Sequence, residues 1–266
     1  MMIKLISKGL LLIFLFFLTW LVLAQFDWMH IFKVKKVTDQ TEEKLGELYW
    51  DIFKRSEKEI TDPFVVSTID SIVHKICTAN GIDTNLIKVH LFDKAEVNAF
   101  ALPNGHLLLY SGLMLEADNP EELSGVLAHE IAHIQLNHVM KKLVKEVGLS
   151  VLISMATGNG GAEIMKETAK LLTSSAYDRS LEKEADIKAI DYLANAKIKP
   201  EAFADFLYKL SADEHDAMKY LAWINTHPET KERAATIIAH SSNKLTTYEP
   251  VLSAATWEKL KEQLRE

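Results

Sequence analysis

The sequence predicts an α+β fold that is mainly helical and carries one small β-sheet. Apolar residues recur at helical spacing along most of the chain, and strand-like patterns are confined to residues 87–92, 98–102 and 106–111. A Pro-Asn-Gly turn at 103–105 joins the last two strands. With 266 residues, 48% of them hydrophobic and 25% charged, the chain can bury a substantial core.

The amino-terminal segment has the pattern of an export or membrane-anchoring signal. Residues 9–24 contain no charged side chain and follow Lys4 and Lys8, so a basic region precedes an apolar run. A small-residue cleavage site ends at Ala24. Residues 1–26 are therefore either a signal peptide that is removed or a membrane anchor that remains, and the sequence leaves both alternatives open.

The charge balance and the cysteine count exclude two classes of protein. The 30 Lys and Arg residues against 37 Asp and Glu residues give a net charge of −7, whereas a compact nucleic-acid-binding domain needs the opposite sign. We therefore expect no nucleic-acid partner. Cys77 is the single cysteine of the chain, which excludes an intramolecular disulfide and a cysteine-based zinc ribbon.

Helices precede the predicted sheet. Residues 27–44 are predicted to form a tether, and a charged amphipathic helix runs from Gln40 to about Ile60. Asp62, followed by proline, is a helix N-cap, and Asn80, followed by glycine, ends the second helix.

Helices also follow the predicted sheet. Asn119 and the proline after it predict the start of a long helix that runs to about Glu146. Residues 147–156 are apolar but too short to span a bilayer, and the glycine-rich residues 157–161 are either a mobile lid or a connector. Later helices are predicted at about 163–176, 181–195, 201–211, 213–223, 229–239 and 255–265.

The long helix carries the sequence His129-Glu130-Ile131-Ala132-His133, an HExxH motif. Positions four apart lie one turn apart on the same helix face, so both imidazoles can reach one Zn²⁺ ion per chain. Glu130 projects about 100° away, where it can accept a proton from a water molecule on the metal. The spacing therefore predicts a zinc site with an open position for catalysis.

A third protein ligand must come from elsewhere in the chain. On a continuous helix His138 lies about 180° from His129, which favours a polar or packing role on the far side. Glu182 and Asp186 lie one turn apart on one face of a later helix, and Glu184 points about 200° away from Glu182. This geometry allows Glu182 to bind zinc while Asp186 orients an imidazole, although an acidic helix start is by itself more often dipole capping.

Four ordered motifs carry a resemblance to a known family. They are HEIAH followed by His138, RSLEKEAD at 179–186, NAFALPNGHLLLYSGL at 98–113, and Thr226-His227-Pro228 followed by Arg233. In these motifs the chain resembles the HExxH gluzincin family that contains the CAAX prenyl proteases, HtpX and the bacterial envelope proteases related to BepA and LoiP. The resemblance covers about 45–240, which we expect to be a zincin-type metallopeptidase domain, with residues 241–266 as an extension that ends in a helix.

The resemblance implies a role for each matched residue. It implies zinc ligation by His129, His133 and Glu182, with Glu130 as the catalytic base. The resemblance also implies that Asp186 is the family's Asp four residues after the metal-binding Glu. It implies that Asn98 and Ala99 lie on a strand along the substrate cleft. It further implies that His227 lies near the metal and that Arg233 supports His227.

The chain also departs from the family pattern. Asp178 stands where the family usually has Ser, and the membrane segments that flank the catalytic helix in multispanning members are not found here. The chain therefore resembles compact, single-anchor or secreted members, and prenyl-protein processing is disfavoured.

The predicted function is that of a zinc metalloendopeptidase of the cell envelope, periplasmic or anchored through its amino terminus. Its expected partners are unfolded or misassembled polypeptides, and the membrane if residues 1–26 are retained. The alternative is a zinc-bound chaperone or binding module with latent or weak peptidase activity, against which the presence of Glu130 argues. His227 is either a transition-state helper or a fourth zinc ligand that keeps the enzyme latent.

Overall fold

A computed structural model describes residues 34–212, 217–228, 230–242, 244 and 247–266. The segment predicted at residues 1–26 lies outside the described residues. The chain divides into two units, residues 1–41 and 42–266, and the fold described below is that of the second unit, except that the helix beginning at Val34 is given with its full bounds. Among the described residues, we find no helix with both the length and the apolar character that a membrane span requires.

The first two helices are α1 (Val34–Ser56) and α2 (Pro63–Ala79). Helix α1 ends before the predicted Ile60 because the chain turns to pair with the sheet there, where the Ile60 amide donates to the carbonyl of Leu91 at 2.8 Å. Helix α2 begins as predicted, with the Asp62 carboxylate accepting hydrogen bonds from two backbone amides of its first turn.

Within the described residues the sheet has three strands, β1 (Lys88–Phe92), β2 (Ala99–Ala101) and β3 (His106–Tyr110). The strand order is β1-β3-β2, with β1 parallel and β2 antiparallel to β3. Gly105, at φ 73°, lies in the predicted turn between β2 and β3, and a Cβ there would lie 1.8 Å from the carbonyl oxygen of Leu86.

The short helix α3 (Ser111–Glu116) leads into α4 (Pro120–Gln135), which carries the HExxH motif. Asn119 caps α4 as predicted, because its side-chain oxygen accepts from the Glu122 amide at 2.9 Å. Gly125 allows α4 to lie close to a later helix, since a Cβ at this position would lie 2.4 Å from the Cβ of Phe203.

The predicted extension of this helix to Glu146 is wrong. Helix α4 ends at Gln135, Asn137 adopts a left-handed conformation with φ 56°, and α5 (His138–Val147) starts in a new direction. Asn is one of the residues that tolerate this conformation, which commonly ends helices.

Helix α6 (Leu149–Ala156) forms in the apolar segment for which the sequence predicts no helix. The remaining helices agree with the predicted ones to within a few residues at most ends. They are α7 (Ala162–Ser174), α8 (Arg179–Asn195), α9 (Glu201–Ala212), α10 (Ala217–Thr226), α11 (Thr230–Ser241) and α12 (Ala254–Gln263).

Two apolar cores lie on opposite faces of the sheet. Side chains of β3 alternate between them, with Leu107 and Leu109 in the first core and Leu108 and Tyr110 in the second. The first core holds α2, α4, α8 and α9, and the second holds α1, α5, α6 and α7. Helix α4 packs on α8 and α9, which brings the HExxH motif against the acidic start of α8.

Candidate metal centre

Four side chains converge at the contact between α4 and α8. Ring nitrogens of His129, His133 and His227 and a carboxylate oxygen of Glu182 lie within 4.8 Å of one another, and all four residues are buried. The Nε2 atoms of His129 and His133 are 3.0 Å apart. Because the donor atoms of these residues face a common point, this group could hold a metal ion.

The local structure explains why these side chains meet. Helix α4 presents both HExxH histidines on one face, as the four-residue spacing predicts. Glu182 lies in the first turn of α8, with Oε1 3.4 Å from Nε2 of His133 and Oε2 3.6 Å from Nε2 of His129. Glu182, which the sequence suggests as the third ligand, therefore lies beside both histidines in the fold.

His227 lies just after the end of α10, and its amide donates to the Trp223 carbonyl at 2.7 Å. Its Nδ1 lies 3.1 Å from Glu182 Oε1 and 3.3 Å from His129 Nε2. Its Nε2 lies 3.3 Å from an oxygen of Glu130 and has no hydrogen-bond partner. His227 is thus close enough to the other donors to be a fourth ligand.

Asp186 and Arg233 lie behind the donor atoms of α4 and α8, and both residues are buried.

 The Arg233 guanidinium donates to both carboxylate oxygens of Asp186 at 2.8 and 2.7 Å, and a third nitrogen lies 2.7 Å from Oε2 of Glu182. Asp186 Oδ1 in turn lies 3.0 Å from Nδ1 of His129. The structure therefore places Arg233 on the two carboxylates rather than on His227.

These contacts decide the charge states of the cluster. Burial alone would raise the pKa of Glu182, but Arg233 and His227 outweigh it and hold that pKa well below its ordinary value. Burial also opposes ionisation of Asp186, and Arg233 nevertheless lowers its pKa to about 2. Burial and the neighbouring His133 lower the pKa of His129 to about 3. Carboxylates that stay charged beside imidazoles that stay neutral are the protonation states that metal binding requires.

Glu130 lies between the two histidines in sequence and is completely buried. Neither of its carboxylate oxygens has a hydrogen-bond partner. Burial, and next the negative charge of Glu182, raise the pKa of Glu130 well above its ordinary value. A buried carboxylate that lacks a well-aligned hydrogen bond is costly, and a cation bound by the neighbouring donors would offset that cost, so the site fits a metal ion.

Asn98 and Ala99 lie at the start of β2, which forms one edge of the sheet in the described residues. The predicted strand from Asn98 to Leu102 is shorter in the structure, where Ala99–Ala101 pair with β3. Asn98 is buried, and its side-chain oxygen has no hydrogen-bond partner. Ala99 lies in the strand that the sequence predicts and Asn98 lies just before it, and contact of either residue with substrate stays a prediction.

The structure overturns the reasoning about His138. Because the chain turns at Asn137, His138 is directed back toward the cluster, is completely buried and has its Nδ1 3.1 Å from Nδ1 of His133. Its Nε2 lies 3.3 Å from a carboxylate oxygen of Glu184. The sequence did contain a signal for this turn, since Asn is favoured where a helix ends in a left-handed residue.

Lys142 and Tyr177 also lie close to the donor cluster. The sequence gave no sign of Lys142, which is buried one turn beyond His138 and lies 4.4 Å from the centre of the Tyr177 ring. Tyr177, a weaker candidate from the sequence, stacks on His133 with ring centres 4.1 Å apart. Burial lowers the pKa of Lys142 to about 8, and Glu182 and Glu130 oppose that change.

A small sheet lies beside the HExxH helix, and a later helix contributes a carboxylate to the same cluster. These features define the chain as a zincin-like protein. Comparison with known proteins then assigns the family. The profile of peptidase family M48 matches residues 66–240, which is more than half of the chain. The chain belongs to peptidase family M48.

Several curated proteins are similar to the chain. The beta-barrel assembly-enhancing protease of Escherichia coli (strain K12) is 28% identical over 207 residues, which cover 73% of this chain and 42% of that protein. Metalloprotease LoiP of the same organism is 30% identical over 162 residues, or 58% of this chain and 63% of LoiP. The mitochondrial metalloendopeptidase OMA1 of Bos taurus is 29% identical over 184 residues, or 62% of this chain and 35% of that protein. The chain spans less than half of the length of the assembly-enhancing proteases that it matches.

Proposed function

We propose that this protein is a zinc-dependent metalloendopeptidase. The observation that carries the proposal is the convergence of His129, His133 and Glu182 on one point, with the buried carboxylate of Glu130 beside them. Two imidazoles and one carboxylate suit zinc, and three protein ligands leave a coordination position open, which distinguishes a catalytic zinc site from a structural one.

The chemistry follows from the positions of these groups. When bound, zinc supplies a Lewis acid that polarises a peptide carbonyl and lowers the pKa of a water molecule. Glu130 accepts the proton of the attacking water and then donates it to the leaving amine. Asp186 accepts a hydrogen bond from Nδ1 of His129 and thereby fixes the ring orientation. Arg233 keeps both Asp186 and Glu182 ionised.

His227 has two possible roles in this mechanism. As a hydrogen-bond donor it would stabilise the negative charge that develops on the peptide oxygen. As a fourth ligand it would close the open position and keep the enzyme latent. Its proximity to the other three donors and the complete burial of the cluster favour latency in the conformation described here.

The names of the relatives extend the proposal to a biological role. A beta-barrel assembly-enhancing protease and the metalloprotease LoiP are among them, which supports action on unfolded or misassembled polypeptides in the cell envelope. The apolar residues 9–24 support an exported or membrane-anchored location. Polypeptide substrates are the partners that this role requires.

Casein cleavage by the full-length chain, purified in detergent and loaded with zinc, tests the activity. The Glu130→Gln variant should lose cleavage by about 10²–10⁴-fold while it still binds zinc, because general-base catalysis contributes an effect of this size. Glu163→Gln, an exposed change on α7, is the matched control and should cleave as fast as the wild type. Equal cleavage by Glu130→Gln and the wild type would refute the mechanism.

A comparison of the wild type with His227→Ala distinguishes a latent enzyme from a zinc-bound chaperone or binding module. If the zinc-loaded wild type is folded but does not cleave casein, His227→Ala should release activity in a latent enzyme, because the fourth position becomes free. A binding module would stay inactive in both forms, and that result would contradict the proposal of a peptidase.

A further inference from the structure

Each of the two HExxH histidines has a different partner behind its metal-facing nitrogen. His129 Nδ1 contacts Asp186 directly, at 3.0 Å. His133 Nδ1 instead contacts a third histidine, His138, at 3.1 Å. His138 then reaches Glu184 through its other nitrogen, at 3.3 Å. The result is a line of three groups, Glu184, His138 and His133, that runs into the cluster.

The protons in this line can be assigned by exclusion. Two ring nitrogens 3.1 Å apart share one hydrogen bond, so one of them carries the proton and the other carries a lone pair. If His133 is to offer a lone pair at Nε2, its proton must lie on Nδ1, which then donates to Nδ1 of His138. His138 must consequently carry its own proton on Nε2, where the Glu184 carboxylate accepts it. One arrangement of protons therefore satisfies every contact in the line.

The opposite arrangement would block the cluster. If His138 carried its proton on Nδ1, it would donate to His133 Nδ1, and the His133 proton would move to Nε2, the atom 3.0 Å from Nε2 of His129. His133 could then not act as a ligand. The position of the Glu184 carboxylate decides between these arrangements, because a carboxylate only accepts hydrogen bonds when ionised.

We propose that His138 and Glu184 are positioning residues that hold His133 in its metal-binding tautomer. This inference rests on the proposed zinc site and goes beyond it, since it assigns a role to two residues outside the donor cluster. The turn at Asn137 creates the arrangement, because it directs His138 toward His133. The Glu184 side chain is 52% exposed, so the outer end of the line is open to solvent while His138 is completely buried.

Zinc affinity of the full-length chain, measured by competition with a chelator, tests the inference. His138→Phe keeps a buried ring but cannot accept the proton of His133, so zinc should dissociate about 10–100-fold more readily. His138→Asn is the matched rescue, because its side-chain oxygen can accept from Nδ1 of His133. It should bind zinc more tightly than His138→Phe. Equal affinity of wild type and folded His138→Phe would overturn the proposal.

Variants of α8 test the outer end of the line. Glu184→Ala should weaken zinc binding, whereas Glu184→Gln should have a smaller effect, because its amide oxygen still accepts from His138. Lys183→Gln, an exposed change next to it, is the control and should leave the affinity unchanged. An equal loss in Glu184→Ala and Lys183→Gln would contradict a specific role for Glu184.

Nitrogen-15 NMR of histidine-labelled, zinc-loaded wild type reads the tautomers without any substitution, and so remains decisive if His138→Phe does not fold. We expect a proton on Nδ1 of His133 and on Nε2 of His138. A proton on Nδ1 of His138 would overturn the inference. Neither measurement requires cleavage, so the two proposals can fail separately. Zinc affinities and tautomers as expected here, together with no casein cleavage by the wild type or by His227→Ala, would refute the peptidase proposal alone.

Discussion

One pair of close histidines, His129 and His133, lies in the candidate metal centre, and another, His90 and His106, lies in the sheet. The first pair is buried, whereas His90 of the second is only partly buried. In the centre, His129 and His133 bring two Nε2 atoms to 3.0 Å. In the sheet, His90 Nε2 lies 2.8 Å from Nδ1 of His106. The nitrogen–nitrogen distances are nearly the same, so the approach of two imidazoles does not by itself distinguish the pairs.

The position of the carboxylate distinguishes them. Glu182 lies beside the facing nitrogens of both its histidines, at 3.4 and 3.6 Å. Glu47 contacts the outer nitrogen of His106, at 3.4 Å and away from the nitrogen that faces His90. The sheet pair therefore presents no common point to three donor atoms, and a metal site requires such a point.

The charged neighbours of the two pairs also differ, because they are partly exposed in the sheet and buried in the candidate metal centre. The sheet pair is stacked against Trp50, whose ring centre is 3.6 Å from that of His90, and its charged neighbours are the partly exposed Lys88 and Glu47. The candidate metal centre contains two buried carboxylates paired with a buried arginine. Two histidines in contact can thus lie in a stacked pair in one place and among converging donor atoms in another.

Replacing the glutamate beside each histidine pair with glutamine should give the largest contrast between the pairs, in zinc affinity. Glu182→Gln removes the charged ligand, and zinc affinity should fall by more than about 100-fold, beyond the effect of an outer-shell change. Glu47→Gln should leave zinc affinity unchanged. Zinc content after dialysis against a chelator provides the measurement, and full retention of zinc by Glu182→Gln would remove Glu182 from the site.

Replacing the positively charged side chain beside each pair should give the next largest contrast, in the free energy of unfolding. Arg233→Met leaves Glu182 and Asp186 buried without their partner, so the zinc-free protein should lose about 3–5 kcal/mol of unfolding free energy. Lys88→Met breaks a largely solvated pair with Glu47 and should cost less than about 1 kcal/mol. Urea denaturation of the zinc-free proteins gives both values. Similar losses in the two variants would show that burial of the Arg233 ion pairs does not matter.

A change of one pH unit should give the smallest effect on stability, and the sheet pair should be its source. Burial and then His106 and Lys88 lower the pKa of His90 to about 3, against the effect of Glu47, while burial and Lys88 lower that of His106 to about 4. An unfolded histidine titrates near pH 6.5, so between about pH 6.5 and 4 the unfolded chain binds more protons. Stability should fall as the pH decreases, by at most about 1.4 kcal/mol per pH unit for each histidine.

His90→Phe isolates this contribution. Phenylalanine keeps the ring against Trp50 but does not titrate, so the stability of this variant should fall less steeply between pH 6.5 and 4 than that of the wild type. The histidines of the metal centre are common to both proteins, and the difference between the two curves therefore reports His90. Parallel curves would show that the pair is not the source of the acid sensitivity.

Much of the fold follows from local signals in the sequence. Asp62 and Asn119 mark helix starts because their side chains accept hydrogen bonds from the first free amides, a contact within three residues that needs no tertiary structure. The long helix, by contrast, was predicted to continue past Gln135. Its apolar pattern does continue, and the left-handed Asn137 interrupts it in a single residue.

The sequence by itself determined which side chains of α4 share a face, because the four-residue spacing of His129 and His133 corresponds to one helical turn. It also paired Glu182 with Asp186 for the same reason. The tertiary structure alone decided what these faces meet, which are Arg233 bridging two carboxylates and His227 beside Glu182. Contacts between residues 45 to 104 positions apart depend on how helices pack, and spacing along one helix carries no information about that packing.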